Sequence, residues 1–328
     1  LNQTIVVEAP NINERIDSYL SLKLKISRNQ ISNLIKNECV KLNLKPVLKG
    51  SVKLNLDDVI EVKFKKAVSE NLEFEADFDV PIIYEDNDLI VLNKPANLVV
   101  HGAPSVKEAT LVDWLGKKGF LLSTLSGESR AGIVHRLDKG TSGAIVVAKN
   151  NRAHAALSAQ LSDKTMGRIY LAITDLPLKE ACVIKKKIGR NPNNRLKKAI
   201  TKDGREAKSA FLNLVESGNI NLIAAKLFTG RTHQIRVHLA SINRHILGDT
   251  LYGFKSENDK IRRVMLHAYG LYFKHPSSGE HMSFVASIWG DFEEILLSKF
   301  EKGTIDEKID FKGLFDAFSG CDKWLRIS

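Results

Sequence analysis

Along the first sixty residues, apolar positions recur first at helical and then at alternating spacing. Ile12, Ile16, Tyr19 and Leu20 share one helical face, and a second helix is predicted after Ser27, whose spacing to Gln30 fits a capping box. Residues 40–48 then alternate apolar side chains with Lys and Asn up to a turn at Pro46, and residues 59–64 alternate again after Asp57-Asp58. This pattern predicts two short helices and a β-hairpin, a unit spanning 1–66. Residues 67–80 turn acidic and read as a linker. Beyond them, Pro81-Ile-Ile-Tyr84 and Leu89-Ile-Val-Leu92 flank Glu85-Asp-Asn-Asp88, the pattern of a second hairpin. Further strands are predicted at 144–148, 168–174, 210–215, 222–228, 269–273 and 284–288. Helices are predicted at 152–161, where Ala153, Ala156, Leu157 and Leu161 share a face, and at 232–242. Strands outnumber helices and many are joined by short turns, so residues 81–300 read as an α+β domain on a mixed, mainly antiparallel sheet. Residues 301–328 form an extension of unassigned role with one amphipathic stretch (Phe311, Leu314, Phe315, Phe318).

Composition narrows the class. A chain of 328 residues, 43% hydrophobic and 27% charged, has an ordinary globular balance and room for two unequal domains, which excludes collagen-like and wholly disordered classes. The 49 Lys+Arg against 38 Asp+Glu leave a net charge of +11, the mark of a polyanionic partner. No apolar run is long enough for a membrane span, and the opening residues lack a basic start followed by an apolar signal region, so a cytoplasmic protein without membrane contact is expected. Cys39, Cys182 and Cys321 are odd in number and far apart, which supports neither a disulfide framework nor a CxxC metal site.

Two windows concentrate charged and hydrogen-bonding residues between apolar elements. In the first, residues 132–143, Asp138 sits between Arg136 and Lys139 and is followed by Gly140-Thr-Ser-Gly143, a turn whose backbone can approach a ligand closely. Neighbouring cations favour the charged form of a carboxylate, which suits a nucleophile or base. By composition alone the window reads rather as a surface ion pair beside a Gly-rich turn. In the second, residues 227–239, Ile235 and Leu239 share a helix face while Arg231, His233, Gln234, Arg236 and His238 supply polar groups around them. That is the pattern of a phosphate-contacting helix or of a solvated polar face. His233 and His238 stand roughly 140° apart round a helix, which argues against a shared zinc ion. Neither GxGxxG nor GxxxxGK[ST] occurs.

The segments GIVHRLDKGTSGAIVVAKN (132–150), LFTGRTHQIRVHLA (227–240), ILGDTLYG (246–253) and LHAYGLYFKHP (266–276) resemble, in order and spacing, the RluA-type pseudouridine synthases. YEDNDLIVLNKPANLVVHG (84–102) is similar to that family's first catalytic-domain hairpin with its Lys-Pro motif. ERIDSYL (14–20) and SRNQISNLIKN (27–37) resemble an S4 RNA-binding domain, an arrangement typical of the branch acting on large-subunit (23S) ribosomal RNA. The resemblance implies that Asp138 is the catalytic aspartate, that Arg136 fills the gap left by a flipped-out uridine, and that Tyr170 stacks on the uracil and assists proton removal from C5. It implies that Arg236 pairs with Asp138, that His135, Arg231, His233 and Gln234 bind substrate, and that Arg15, Arg28, Lys36 and Lys41 contact RNA from the S4-like unit. No cofactor or metal is implied, and a monomer is expected.

Departures from the family pattern are few. Asn97 stands where Gly is usual, Asn-Arg-His precedes Ile246 in place of Gly-His-Pro, Arg168 replaces a common Lys two places before Tyr170, and Glu38 replaces a frequent Gly. Two other readings fit parts of the pattern. A non-catalytic RNA-binding ribosome-assembly factor would share both domains, and a paired-carboxylate hydrolase would need a second acid that neither window contains.

Overall fold

The computed structural model describes residues 2–24, 26, 28–63, 74–103, 105–253 and 261–328. The Ser27 cap and the first half of the acidic linker lie outside the described residues. The N-terminal unit comprises β1 (Asn2–Val6), α1 (Ile16–Lys23), α2 (Arg28–Lys36), β2 (Val40–Leu42), β3 (Lys45–Pro46) and β4 (Val59–Lys63), with the strands ordered β1-β4-β2-β3. Ile16, Tyr19 and Leu20 of α1 pack with Ile31, Leu34 and Ile35 of α2 against Val40, Ile60 and Val62 of the sheet. Ile12, predicted to begin the first helix, is 41% exposed; Arg15, in extended backbone, is where the chain enters α1. The β2–β3 turn falls on Asn43-Leu44, both with positive φ as a tight twisted hairpin demands, rather than at Pro46, which sits inside β3. Leu125, from the second unit, is buried in this same core.

The second unit is built on a ten-stranded sheet. Its elements are β5 (Ile82–Glu85), β6 (Leu89–Lys94), α3 (Leu111–Lys117), β7 (Ser142–Ala148), α4 (Asn151–Asp163), β8 (Gly167–Thr174), β9 (Cys182–Lys185), β10 (Ile188–Arg190), β11 (Lys198–Ile200), β12 (Lys208–Ser217) and β13 (Ile220–Leu227). They continue with α5 (Gln234–Ala240), β14 (Leu266–Lys274), β15 (His281–Val285), α6 (Gly290–Leu297), α7 (Lys302–Lys308), α8 (Phe311–Ser319) and β16 (Leu325–Ile327). The strand order is β16-β9-β12-β13-β8-β14-β7-β6-β5, with β15 on β14, while β10 and β11 form a separate hairpin. The β14–β7 and β16–β9 pairs are parallel, and the other pairs described in this sheet are antiparallel.

The central strands are unbroken apolar runs because both faces are covered. On β6 and β7, Ile90, Leu92, Ile145 and Val147 enter the main core, while Leu89, Val91, Val146 and Ala148 pack on the other face with Ala153 and Leu157 of α4. Asn150 caps α4 by accepting the Ala153 N–H at 2.9 Å. Gly143 opens β7 at φ 111°, and a Cβ there would fall 2.2 Å from the Ala268 carbonyl oxygen, so the close β7–β14 approach needs glycine. That crossing sets the strand immediately after Asp138 in the middle of the sheet.

Candidate active site

Asp138 lies four residues before β7 and lines a cavity of about 400 Å³ together with Tyr170 of β8, Arg236 of α5 and the turn before α5. Its position is fixed from below by Lys94, the last residue of β6. The fully buried Lys94 Nζ donates to the carbonyl oxygens of Pro95 (2.7 Å), Leu98 (2.9 Å) and Lys139 (3.4 Å), tying the loop after β6 to the Asp138 loop. Burial lowers the Lys94 pKa to about 7 against the opposing pull of Asp138.

The partners of Asp138 differ from those its sequence neighbours suggest. Lys139 pairs with Glu108 at 2.7 Å and Arg136 is exposed; the cations that reach Asp138 come from α5 and its cap. Arg236 Nη1 stands 3.6 Å and His233 Nε2 3.8 Å from Asp138 Oδ2. Both distances are too long for a hydrogen bond, so they orient the carboxylate electrostatically without occupying its lone pairs. Arg236 is itself held by Asp249, its Nε and Nη2 each donating at 2.7 Å to one carboxylate oxygen. Asp249 Oδ1 also accepts the N–H groups of Leu251 and Tyr252 (3.1 and 3.3 Å), and the Tyr252 ring lies 4.9 Å below the guanidinium. Burial works against the Arg236 charge, but Asp249 and Asp138 outweigh it and raise its pKa.

His233 occupies the N-cap of α5 in left-handed backbone, φ 59°. Its Nδ1 lies 2.7 Å from Tyr252 Oη, which already accepts the Lys198 N–H at 2.8 Å. The Asp138 carboxylate facing Nε2 favours the ring proton there, which leaves Nδ1 to accept from the phenol. Burial lowers the His233 pKa and so favours the neutral ring, although Asp138 pulls the other way.

Tyr170 is 4% exposed, with Ala225 and Ala268 as its cross-strand neighbours, small residues that leave space over the ring. Burial raises its pKa. His135 lines the cavity, but its Nε2 accepts the Val146 N–H at 3.2 Å and burial lowers its pKa to about 3, so it is a neutral ring anchored to β7. Gln234, expected to contact substrate, commits all four of its hydrogen-bonding positions within the protein. Its Oε1 accepts from Thr229 Oγ1 (2.8 Å) and Arg231 N (3.0 Å), and its Nε2 donates to Lys208 O (3.0 Å) and Ser209 Oγ (2.8 Å). It holds the turn that carries Arg231, whose Nε donates to the Glu206 carbonyl. His238 points away from His233, toward Ser209 Oγ and the Lys186 carbonyl. In the N-terminal unit, Arg15 is bound through Nε and Nη2 to both oxygens of Asp17 (3.0 and 2.7 Å), Arg28 donates to Ser18 Oγ, and Lys36 and Lys41 are exposed.

Lys94, Asp249 and Tyr252 were not singled out as site residues by sequence. The Lys-Pro motif and the segment ILGDTLYG contain them, yet nothing local indicates that they meet Asp138 and Arg236. Asp249 supplies the second carboxylate that neither window held, but both its oxygens are bound to Arg236. Among the described residues no group of three or more His, Cys, Asp or Glu side chains is placed to hold a metal ion, and no helix is long and apolar enough to cross a membrane.

A family model described as RNA pseudouridylate synthase matches residues 88–241, the stretch carrying Asp138, Tyr170 and Arg236. An uncharacterized RNA pseudouridine synthase of Helicobacter pylori is 49% identical over 94% of this chain and 97% of its own length. The ribosomal large subunit pseudouridine synthase D of Zymomonas mobilis is 37% identical, over 85% of this chain and 92% of that protein. Of solved structures, human RNA pseudouridylate synthase domain containing 1 matches with a TM-score of 0.56 at 22% identity, covering 74% of this chain and 95% of the human one. The chain belongs to the RluA-type RNA pseudouridine synthases, enzymes that isomerise uridine in RNA.

Proposed function

We propose that this enzyme acts on specific uridines of large-subunit ribosomal RNA and uses Asp138 as its nucleophile. The observation that carries the chemistry is a carboxylate at the cavity wall with its oxygens unengaged by hydrogen bonds among the described residues, steered by Arg236 and His233 and faced by a buried tyrosine. In the reaction the N1–C1′ bond breaks, the uracil turns, C5 bonds to C1′, and the proton lost from C5 is matched by one gained at N1. No atom enters or leaves. In this reading Arg136, which is exposed at the cavity, fills the gap left by the extruded base, and Tyr170 stacks on that base. The ribosomal target is supported by the relatives named ribosomal large subunit pseudouridine synthase D. It is also supported by the +11 charge and by an N-terminal unit of two helices on a small sheet that we read as S4-like, with Arg28, Lys36 and Lys41 on its surface.

The test is carbodiimide mapping of pseudouridine in RNA from a strain lacking the protein, complemented with wild type, Asp138→Asn or Asp138→Ala. Large-subunit pseudouridines that vanish and return only with wild type are the expected result. Return of the modification with either variant would exclude Asp138 as nucleophile. Unchanged RNA together with a ribosome-assembly defect rescued by the variants would make the chain a binding factor.

A further inference from the structure

Among the described residues, the cavity wall holds one buried cation that no ion pair compensates. Arg236 is neutralised by Asp249 and Asp138, Arg130 and Arg136 are exposed, and Arg231 is half-buried and donates to a carbonyl. Arg168, on β8 two residues before Tyr170 and on the same face of the strand, is 8% exposed and also lines the cavity. Among the described residues its guanidinium has no ion pair and no hydrogen bond, and its Nε is shut off from solvent without a partner. Burying a charge in this way is costly unless a partner arrives.

Two further observations point to an acceptor-rich ligand. His135, beside Arg168 in the cavity wall, uses Nε2 as an acceptor, so its Nδ1 carries the proton, and that N–H too is buried without a partner. Both of these unsatisfied groups are donors. Gly230, opposite, does not use left-handed backbone, but a Cβ on it would stand 2.9 Å from Arg168 Nη1. Space at that position is kept for the guanidinium rather than for a turn.

We propose that Arg168 receives a phosphodiester oxygen flanking the nucleotide taken into this cavity, so that β8 grips the backbone of the flipped uridine two residues from the tyrosine facing its base. The inference rests on the reading of this cavity as the uridine site. Of the groups in an RNA chain the phosphodiester alone is anionic, and a planar fork of donors matches its two free oxygens better than it matches a neutral uracil carbonyl.

The experiment uses the full-length enzyme and a short stem-loop RNA around a uridine mapped as above. Wild type, Arg168→Met and Arg168→Lys are compared on unmodified RNA and on RNAs with a single neutral methylphosphonate on the 5′ or the 3′ side of the uridine. The adjoining 2′ hydroxyl is methylated, with a matched phosphodiester control. Arg168→Met is expected to lower kcat/KM by about ten- to a hundredfold. Its melting temperature should hold or rise, because an apolar side chain replaces an uncompensated buried charge. Arg168→Lys should recover part of the activity. One neutral linkage should reproduce the loss in wild type and add little to Arg168→Met, because both remove the same contact. Full activity of Arg168→Met overturns the proposal, as do losses that multiply at both linkages, which would place Arg168 on the base or the ribose. Failure of wild type to turn over the unmodified stem-loop would instead overturn the uridine-site reading itself.

Discussion

At the residue scale, the unexpected feature is the chain of contacts running from Lys198 N–H through Tyr252 Oη and His233 to Asp138. The links agree in direction: the carboxylate favours Nε2–H on the imidazole, Nδ1 then accepts from the phenol, and the phenol oxygen accepts from β11. Tyr252→Phe retains the ring beneath Arg236 but removes the hydroxyl, which leaves Lys198 N–H without its acceptor and frees the His233 tautomer. We expect kcat to fall on the order of tenfold with KM little changed, because the lost group orients the carboxylate without touching substrate. Steady-state kinetics on the stem-loop RNA decide it, and an unchanged kcat would show that the chain is only structural. The contrast between readable and unreadable residues follows from range. Asp138, Tyr170 and Arg236 sit in short segments whose residue types are diagnostic together, and Asn97 adopts the positive φ (62°) its replacement of glycine requires. Lys94, Asp249 and Tyr252 act only on partners brought close by the crossings of β6, β7 and α5, and no local spacing encodes that.

Element by element, alternation and unbroken apolar runs identified the strands that bury side chains, and helix periodicity identified α4, α5 and α8. The edge elements escaped. β9, β10, β11 and β16 are three or four residues long, too short for a period to register, and β1 is recognisable only by its pairing with β4. α3 carries a capping box, Thr110 with Asp113, but its seven residues make only about two turns, too few for a period to register. The chain after residue 300 had no chemical signature because its work is packing: β16 extends the sheet beside β9, and Phe318 and Cys321 belong to the main core. Phe311, at the start of α8, lies over Gly270, where a Cβ would come within 2.3 Å of its ring. Gly270→Ala should therefore overpack the α8 contact and destabilise the enzyme by about 1–3 kcal/mol. A lowered melting temperature with faster proteolysis within 311–328 is the expected observation. Wild-type stability in the alanine variant would mean that the ring is not pressed against β14.

For the whole molecule, pH is the sharpest probe, because His101, His154, His238 and His267 are buried with pKa values pushed down to about 4, and His135 to about 3, chiefly by burial. Each titrates near 6.5 in the unfolded chain, so between that value and its folded pKa the unfolded state binds more protons than the folded one. Stability is thus present in full above about pH 6.5 and is lost as pH falls toward 4, by up to about 1.4 kcal/mol per pH unit for each histidine. The melting temperature should fall steeply between pH 6.5 and 4.5. Repulsion among the excess cations has the same sign, since net charge rises from +11 as acid is added. The two causes separate on adding salt: at 1 M the screening length drops to about 3 Å and surface repulsion is suppressed, whereas the desolvation of a buried imidazolium is not. His154→Gln, which keeps a polar group against Ser126 Oγ but cannot titrate, should flatten the high-salt profile by its share. A profile already flat in 1 M salt would assign the acid sensitivity to surface charge and leave these histidines without a part in it.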